Sequence, residues 1–303
     1  MKKTILFVLV LVLASCGGNT AKEEDKSTEN ETPKSVNDCS KFVPQGFTLE
    51  KQLDGCGFTL ACAKKGDDIC PRVLMIVKDG QLVRISKEIV CKTIDFGQEE
   101  VFCAKVDKDH QGAVVEFTMP GNSNDDRFIK IIDDKTLKDI PVGFGEGFVP
   151  KDFSDINADG FNELIVMDNR WYGLRIFEKK VAPFTQKIAV YKDGKFVDKT
   201  SDFKSYLEGG TQYWATQMAS AKTELESVNA AVILALIYRD LGRMDDGLKM
   251  MDEIIKTASS KDLVDSVKYF VQEYKKIDKN PDWFYPTRKQ AWETIPWQQT
   301  KIP

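Results

Sequence analysis

The fold is organised around a stretch that reads Asp155-Ile156-Asn157-Ala158-Asp159-Gly160-Phe161-Asn162-Glu163 and runs into the apolar segment Leu164-Ile165-Val166-Met167. Oxygen-bearing side chains occupy loop positions 1, 3, 5 and 9, and the backbone carbonyl of Phe161 is available at position 7. Such ligands suit a hard divalent cation such as Ca²⁺, and Gly160 allows the sharp turn that directs them inward. The stretch predicts a calcium-binding loop that leads into a β-strand.

The position of the last acid separates this loop from an EF-hand. A standard EF-hand loop carries a bidentate Glu at position 12, where this chain has Val166, and the acid stands instead at position 9 as Glu163. This arrangement resembles the loop of FG-GAP and VCBS repeats, the blade units of integrin-type β-propellers, and residues 191–200 are similar to the hairpin that closes such a repeat. The resemblance covers about residues 153–203.

The resemblance implies a structural ion, not a catalytic one. The implied ligands are the side chains of Asp155, Asn157, Asp159 and Glu163 and the carbonyl of Phe161. The alternative is an Asx-rich surface turn that binds no metal, because Asp, Asn and Gly favour turns in any case.

The first two thirds of the chain favour β-structure. Residues 40–205 contain short runs of Val, Ile, Phe and Thr separated by Gly, Asp and Asn. Asp79-Gly80 and Asp193-Gly194 each lie between apolar runs, as the turn of a tight hairpin does. We therefore predict an α+β fold in which a mainly antiparallel, propeller-blade-like β domain over residues 39–208 precedes a small α-helical domain over residues 209–303. The propeller would be incomplete, since at least four blades are needed to close one.

The last third of the chain favours helices. Apolar residues at helical spacing predict two helices joined at Gly242-Arg243-Met244 and a third over residues 261–276. The first two resemble a tetratricopeptide-like hairpin over about residues 226–259, and an ordinary antiparallel helix pair is the alternative. One hairpin cannot form a binding superhelix. The aromatic C-terminal tail, which includes Trp283, Trp292 and Trp297, is expected to pack on these helices. The alternative is that these tryptophans stack on sugar rings or anchor a partner.

The N-terminus has the features of an exported lipoprotein. A basic start precedes an apolar run of residues 5–13 and then Leu13-Ala14-Ser15-Cys16. The run is far shorter than the roughly 20 residues that cross a bilayer, so residues 1–15 are predicted to be a signal peptide. The tetrapeptide resembles the lipobox of bacterial lipoproteins, which implies cleavage before Cys16 and acylation, for example with palmitate. Residues 16–38 are polar and are predicted to be a disordered tether.

Charge and composition restrict the function. The formal net charge of −4 with mixed signs gives no basic face for nucleic acid. The single histidine, His110, gives little basis for a nucleophile activated by histidine. We predict a non-enzymatic binding or scaffold protein of the bacterial cell envelope with a protein or glycan partner. Its lipid is expected to anchor it to the outer membrane, on either the periplasmic or the surface face.

Two further sets of residues bear on this function. Trp171 and Tyr172, which follow the apolar segment Leu164–Met167, are possible ligand contacts. The alternative function is a hydrolase of envelope polysaccharide or peptidoglycan that uses paired carboxylates such as Asp125-Asp126 or Asp133-Asp134.

The six cysteines other than Cys16 favour disulfides in an exported chain. Zinc is a weaker reading, because no Cys-x-x-Cys pair occurs. Cys91 and Cys103 lie equally far from Gly97, so a hairpin turning there would place their sulfurs opposite each other. This symmetry predicts a Cys91–Cys103 bond. The pairing of the other four is left open: Cys39, Cys56, Cys62 and Cys70.

Overall fold

The computed structural model describes residues 38–67, 70–96, 102–118, 127–144, 148–168, 185–276 and 295–298. The predicted signal peptide, Cys16 and nearly all of the tether lie outside these residues. Residues Ser35–Pro303 form one compact unit in which antiparallel strands precede helices, so the α+β fold class is confirmed. Within the described ranges, none of the helices combines the length and the apolar character that a membrane span requires.

The first sheet has the order β1-β2-β3-β4, with β5 paired to β3. Its strands are β1 (Thr48–Gly55), β2 (Phe58–Lys64), β3 (Pro71–Lys78), β4 (Gln81–Ile85) and β5 (Ile89–Val90). Alternate residues of β2 and β3 point to opposite faces. Leu60 and Leu74 enter a core that also holds residues of the second sheet, such as Phe117, whereas Ala61 and Val73 pack on the other side.

The second sheet is built around one long strand. Its strands are β6 (Thr93–Asp95), β7 (Cys103–Lys105), β8 (Gln111–Thr118) and β9 (Arg127–Asp133). β9 pairs with one edge of β8. On the other edge, β6 pairs with the last three residues of β8 and β7 pairs with the first three. β6 and β7 therefore lie end to end along β8 and do not pair with each other.

The third sheet is an antiparallel meander in sequence order. Its strands are β10 (Phe148–Ser154), β11 (Glu163–Asp168), β12 (Thr185–Lys192) and β13 (Lys195–Asp198). The predicted hairpins β3–β4 and β12–β13 are both confirmed. At each turn both central residues have positive φ: 51° and 72° at Asp79-Gly80, and 50° and 83° at Asp193-Gly194. Asp-Gly suits this two-residue turn because it tolerates such angles.

In the described part of the chain, four α-helices follow the third sheet: α1 (Lys204–Ser220), α2 (Glu224–Asp240), α3 (Met244–Thr257) and α4 (Lys261–Tyr274). The predicted helix pair and third helix are confirmed as α2, α3 and α4. α2 begins with a capping box between Thr223 and Glu226, and Gly242 in the α2–α3 connection has a φ of 75°. α1 was not predicted, and its first residues lie inside the range assigned to the β domain.

The described part of the C-terminal tail packs on the β-strands, not on the helices as expected. Trp297 forms an isolated bridge with Ser86, and Ile295 is buried in the core that the first and second sheets share. The backbone N–H of Ile295 and the indole N–H of Trp297 both donate to the carboxylate of Asp139, at 3.2 and 3.3 Å. For Trp297 the expectation was wrong, because the buried carboxylate of Asp139 and the core shared by the first and second sheets hold this segment. Trp283 and Trp292 lie outside the described residues.

Candidate metal centre

The predicted calcium loop connects β10 to β11. The last pair of this hairpin is Ser154 with Glu163, so residues 155–162 form the loop itself. Ala158 and Gly160 both have positive φ, 59° and 90°. A Cβ on Gly160 would meet no atom within 4 Å, so the position favours glycine for its backbone angle and not for lack of space.

The loop is folded inward by its own polar side chains. The carboxylate of Asp155 accepts hydrogen bonds from the N–H groups of Asp159 and Gly160, at 3.1 and 2.9 Å. The side-chain oxygen of Asn157 accepts from the N–H of Asp159 at 3.0 Å, and the Asp159 carboxylate accepts from the N–H of Phe161 at 2.9 Å. These bonds hold the first, third and fifth loop positions together. Each carboxylate oxygen has further lone pairs that a cation could use.

Glu163 closes the loop from the strand side. Glu163 is only 2% exposed, and its Oε2 accepts a hydrogen bond from the backbone N–H of Ile156 at 2.8 Å. Burial raises the pKa of Glu163, the bond from Ile156 opposes this effect, and the nearby charges of Asp159 and Asp155 add to it. The carboxylates of Asp159 and Asp155 are therefore close enough to disfavour the ionised form of Glu163.

Three predicted ligand residues, Asp155, Asn157 and Asp159, thus lie in the loop, and the fourth, Glu163, is the first residue of β11 and contacts the loop through Ile156. Phe161 lies in the same loop and donates its N–H to Asp159. Among the described residues, no group of three or more His, Cys, Asp or Glu side chains already stands in a metal-holding arrangement. An all-oxygen donor set fits Ca²⁺ better than a soft transition metal, and calcium binding remains a prediction.

Asn162 attaches the loop to the second sheet, a role that the sequence analysis missed. Its backbone N–H donates to the carbonyl oxygen of Lys105 in β7 at 2.7 Å, and its side-chain amide donates to the carbonyl of Phe153 at 3.4 Å. No local pattern could reveal the first bond, because Lys105 is distant in the chain. The loop is therefore attached both to its own hairpin and to a strand of another sheet.

The strand that receives Asn162 also carries the disulfide. Cys103 of β7 is bonded to Cys56, which lies in the β1–β2 turn, with a Cα–Cα distance of 5.6 Å. The predicted Cys91–Cys103 bond is wrong. Its premise was a hairpin, whereas the strands after Cys91 and at Cys103 lie end to end along β8. Cys62, Cys70 and Cys91 are buried thiols, and Cys39 is buried on the other side of the first sheet.

Two of the other candidates, His110 and the pair Asp133-Asp134, come together beside Tyr191. The His110 and Tyr191 rings are 5.3 Å apart, and burial, followed by the charges of Asp133, Asp107 and Asp134, raises the pKa of Tyr191. His110 donates its backbone N–H to Asp107, contacts the same carboxylate through Nδ1 at 3.0 Å, and so closes the β7–β8 turn. Asp133 and Asp134 accept backbone N–H groups, from Thr136 and Gln111 among others. The residues not described include Asp125, Asp126, Trp171 and Tyr172.

Comparison of the chain with protein-family models, with curated proteins and with solved structures found no match. The FG-GAP-like and tetratricopeptide-like resemblances therefore stay predictions.

Proposed function

We propose that this chain is a lipid-anchored protein of the bacterial cell envelope. Residues 155–163 bind a structural Ca²⁺ in this proposal. The folded part is a non-enzymatic binding or scaffold module for a protein or glycan partner. The α2–α3 pair, with its tetratricopeptide-like spacing, belongs to that module in this proposal. The membrane attachment runs through Cys16, which is the site for the lipid.

The observation that carries the calcium proposal is the position of Glu163. The carboxylate of Glu163 is buried and lies near the exposed carboxylates of Asp155 and Asp159, whose oxygens accept hydrogen bonds from the backbone of the loop. Placing three like charges together is unfavourable unless a cation offsets them. A divalent ion with oxygen ligands is the group whose chemistry matches this set.

A structural role for the ion agrees with how the loop is attached. Ile156 bonds to Glu163 and Asn162 bonds to Lys105, so an ion bound between these points would stabilise a connection between two sheets. The meander of β10 to β13, with the loop before its second strand and an Asp-Gly hairpin before its last, has the order that the FG-GAP-like resemblance implies. Both features support an ion that holds the fold together.

Calorimetric titration with Ca²⁺ tests the metal site. We expect the wild-type chain to bind one ion and Asp159→Asn to bind at least about tenfold more weakly, because each ligand charge contributes to the affinity. Asp193→Asn is the matched control, since Asp193 also precedes a glycine with positive φ but belongs to the β12–β13 turn. Absence of binding to the wild type, or equal binding to Asp159→Asn, would exclude the calcium site.

Mass spectrometry of the mature protein tests the anchor. We expect the chain to begin at Cys16 and to carry acyl chains that base hydrolysis removes. Cys16→Ser should remain unacylated and leave the membrane fraction. A mature wild-type chain that starts elsewhere, or that carries no lipid, would contradict the proposed localisation.

Capture from envelope extracts, with and without a chelator, tests the binding role. We expect the same protein or glycan to be recovered by the wild type in Ca²⁺ and to be lost in the chelator or with Asp159→Asn. Turnover of an envelope glycan that disappears in a single Asp or Glu variant would replace the binding proposal with the hydrolase.

A further inference from the structure

Three of the buried thiols lie on one face of the first sheet. Cys62 and Cys91 are completely buried in the core between the first and second sheets, and Cys70 is 5% exposed. Side chains two residues apart share a face of a strand, so Cys70 shares its face with Arg72, and Cys91 shares its face with Ile89. Only thiols that lie directly opposite each other on neighbouring strands can come within disulfide distance.

The register of β3 and β5 identifies the opposed pair. This antiparallel pair places Pro71 opposite Val90 and Arg72 opposite Ile89. One further step in the same register places Cys70 opposite Cys91. Directly opposed residues in antiparallel strands have Cα atoms about 4.5–5.5 Å apart, which lies within the range of about 4.4–6.8 Å that a disulfide needs.

A buried guanidinium holds the two backbones at this point. Arg72 is 3% exposed, and its Nη1 donates to the carbonyl oxygens of both Cys91, at 2.6 Å, and Cys70, at 3.4 Å. Its Nε and Nη2 donate to the carboxylate of Glu50, at 2.9 and 3.1 Å. Arg72 therefore joins the two cysteine backbones independently of the strand register.

Cys62 occupies a different place on the same face. It pairs with Leu74, four residues along β3 from Cys70, which corresponds to roughly 13 Å of strand. Its thiol donates to Glu50 at 3.5 Å. The cross-strand position opposite Cys70 thus belongs to Cys91.

We propose that Cys70 and Cys91 form a second disulfide of the mature protein. In the reaction, the thiolate of one cysteine attacks the disulfide of a thiol–disulfide oxidant and displaces one of its sulfurs. The thiolate of the other cysteine then attacks the mixed disulfide and releases the oxidant as a dithiol. The two cysteines lose two protons and two electrons, and the oxidant takes up the electrons. This inference concerns the first sheet and does not depend on the calcium site.

The bond must form while the chain folds. In the folded protein both cysteines are buried, and burial raises the pKa of the Cys91 thiol to about 12. The thiolate is the reactive species, so the folded thiols would react slowly with an oxidant. The bond would join the residue before β3 to the residue after β5 and enclose the β3–β4 hairpin.

Peptide mapping of the full chain, exported into an oxidising periplasm and alkylated under denaturing conditions without reduction, tests the bond. Trypsin releases Cys70 in the peptide of residues 66–72 and Cys91 in the peptide of residues 88–92. We expect these two peptides to be recovered as one cross-linked species that reduction separates. Recovery of both as separately alkylated peptides would overturn the proposal, as would a link between residues 52–64, which contain Cys56 and Cys62, and residues 88–92.

A variant series gives a second readout in solution. In a Cys56→Ala/Cys103→Ala background, reductant should lower the midpoint of thermal unfolding by about 5–10 °C through loss of the remaining disulfide. The same reductant should leave the midpoint unchanged once Cys70→Ala or Cys91→Ala is added, whereas Cys62→Ala should preserve the response. An unchanged midpoint in the Cys56→Ala/Cys103→Ala background would overturn the proposal. If that background does not fold, the peptide map of the wild type decides.

Discussion

The backbone N–H of Asn162 donates to the carbonyl oxygen of Lys105 at 2.7 Å, and so joins the candidate calcium loop to β7. Two residues before Lys105, Cys103 joins the same strand to Cys56 in the β1–β2 turn. β7 is only three residues long, and besides its pairing with β8 it is held by this covalent bond and by the loop. This arrangement couples the loop to the disulfide.

We expect removal of this disulfide to destabilise the protein and to weaken Ca²⁺ binding together. The bond spans a sequence separation of 47 residues, for which the chain-entropy account gives a stabilisation of about 4 kcal/mol. The Cys56→Ala/Cys103→Ala variant should unfold at lower denaturant concentration by about this free energy, and calorimetry should show a weaker Ca²⁺ affinity. An unchanged affinity would mean that β7 holds its position without the bond.

We expect Glu163→Gln to have opposite effects with and without Ca²⁺. In the absence of metal, burial keeps the pKa of Glu163 above its ordinary value, so the folded state binds more protons than the unfolded state between the two pKa values. Stability therefore falls as pH rises through that window in the wild type, and this fall should be smaller in Glu163→Gln. In chelator at pH 7, the variant should be at least as stable as the wild type.

With Ca²⁺ present the order should reverse. An ion at 100 times its dissociation constant stabilises the folded state by about 2.7 kcal/mol, and Glu163→Gln should lose most of this increment because it lacks a ligand charge. Urea titrations at pH 5 and pH 7, each with Ca²⁺ and with chelator, measure both effects. Glu253→Gln is the control, since that carboxylate is fully exposed on α3 and pairs with Lys256. An equal Ca²⁺ increment in both variants would remove Glu163 from the site.

Local features of the sequence were sufficient to predict the hairpins, the helix pair and the composition of the candidate site. Asp79-Gly80 and Asp193-Gly194 prescribe their turns through backbone angles that few other residue pairs accept. The loop residues contact one another because they are at most eight residues apart. Such patterns depend on near neighbours, which the sequence places together directly.

Contacts between distant segments were beyond this kind of prediction. The symmetry of Cys91 and Cys103 about Gly97 is a local argument, and it failed because β8 pairs with both flanking strands along one edge. α1 was missed because it carries a weak apolar stripe, and Leu207 is its only buried residue in the described chain. The bond from Asn162 to Lys105 likewise arises only when two sheets pack together.

We expect the buried ion pair between Lys187 and Asp240 to be essential for joining β12 to the end of α2. The two side chains are only 10% and 8% exposed. Asp240→Asn leaves the Lys187 charge buried without its partner, which costs about 3–5 kcal/mol of unfolding free energy. The exposed pair of Lys199 and Asp202 is the control, because Asp202→Asn should cost less than about 1 kcal/mol. Equal losses would show that solvent reaches the first pair.

We expect Gly247→Ala to destabilise the helical region although alanine favours helices. α2 and α3 approach closely at this residue, and a Cβ there would lie 2.8 Å from the Tyr274 hydroxyl oxygen and 3.2 Å from the Ala235 Cα. The hydroxyl cannot move away without loss of its 2.6 Å hydrogen bond to the carbonyl of Ala235. Overpacking of this kind costs about 1–3 kcal/mol, which exceeds the gain of about 1 kcal/mol in helix propensity.

Gly209→Ala in α1 separates the two contributions. A Cβ at Gly209 would meet no atom within 4 Å, so only the propensity gain remains and the variant should be more stable than the wild type by up to about 1 kcal/mol. Tyr274→Phe combined with Gly247→Ala should recover part of the loss, because it removes the atom in closest contact. Urea denaturation followed by far-ultraviolet circular dichroism measures all three variants. Stabilisation by Gly247→Ala would show that the helices can separate at this point without loss of packing.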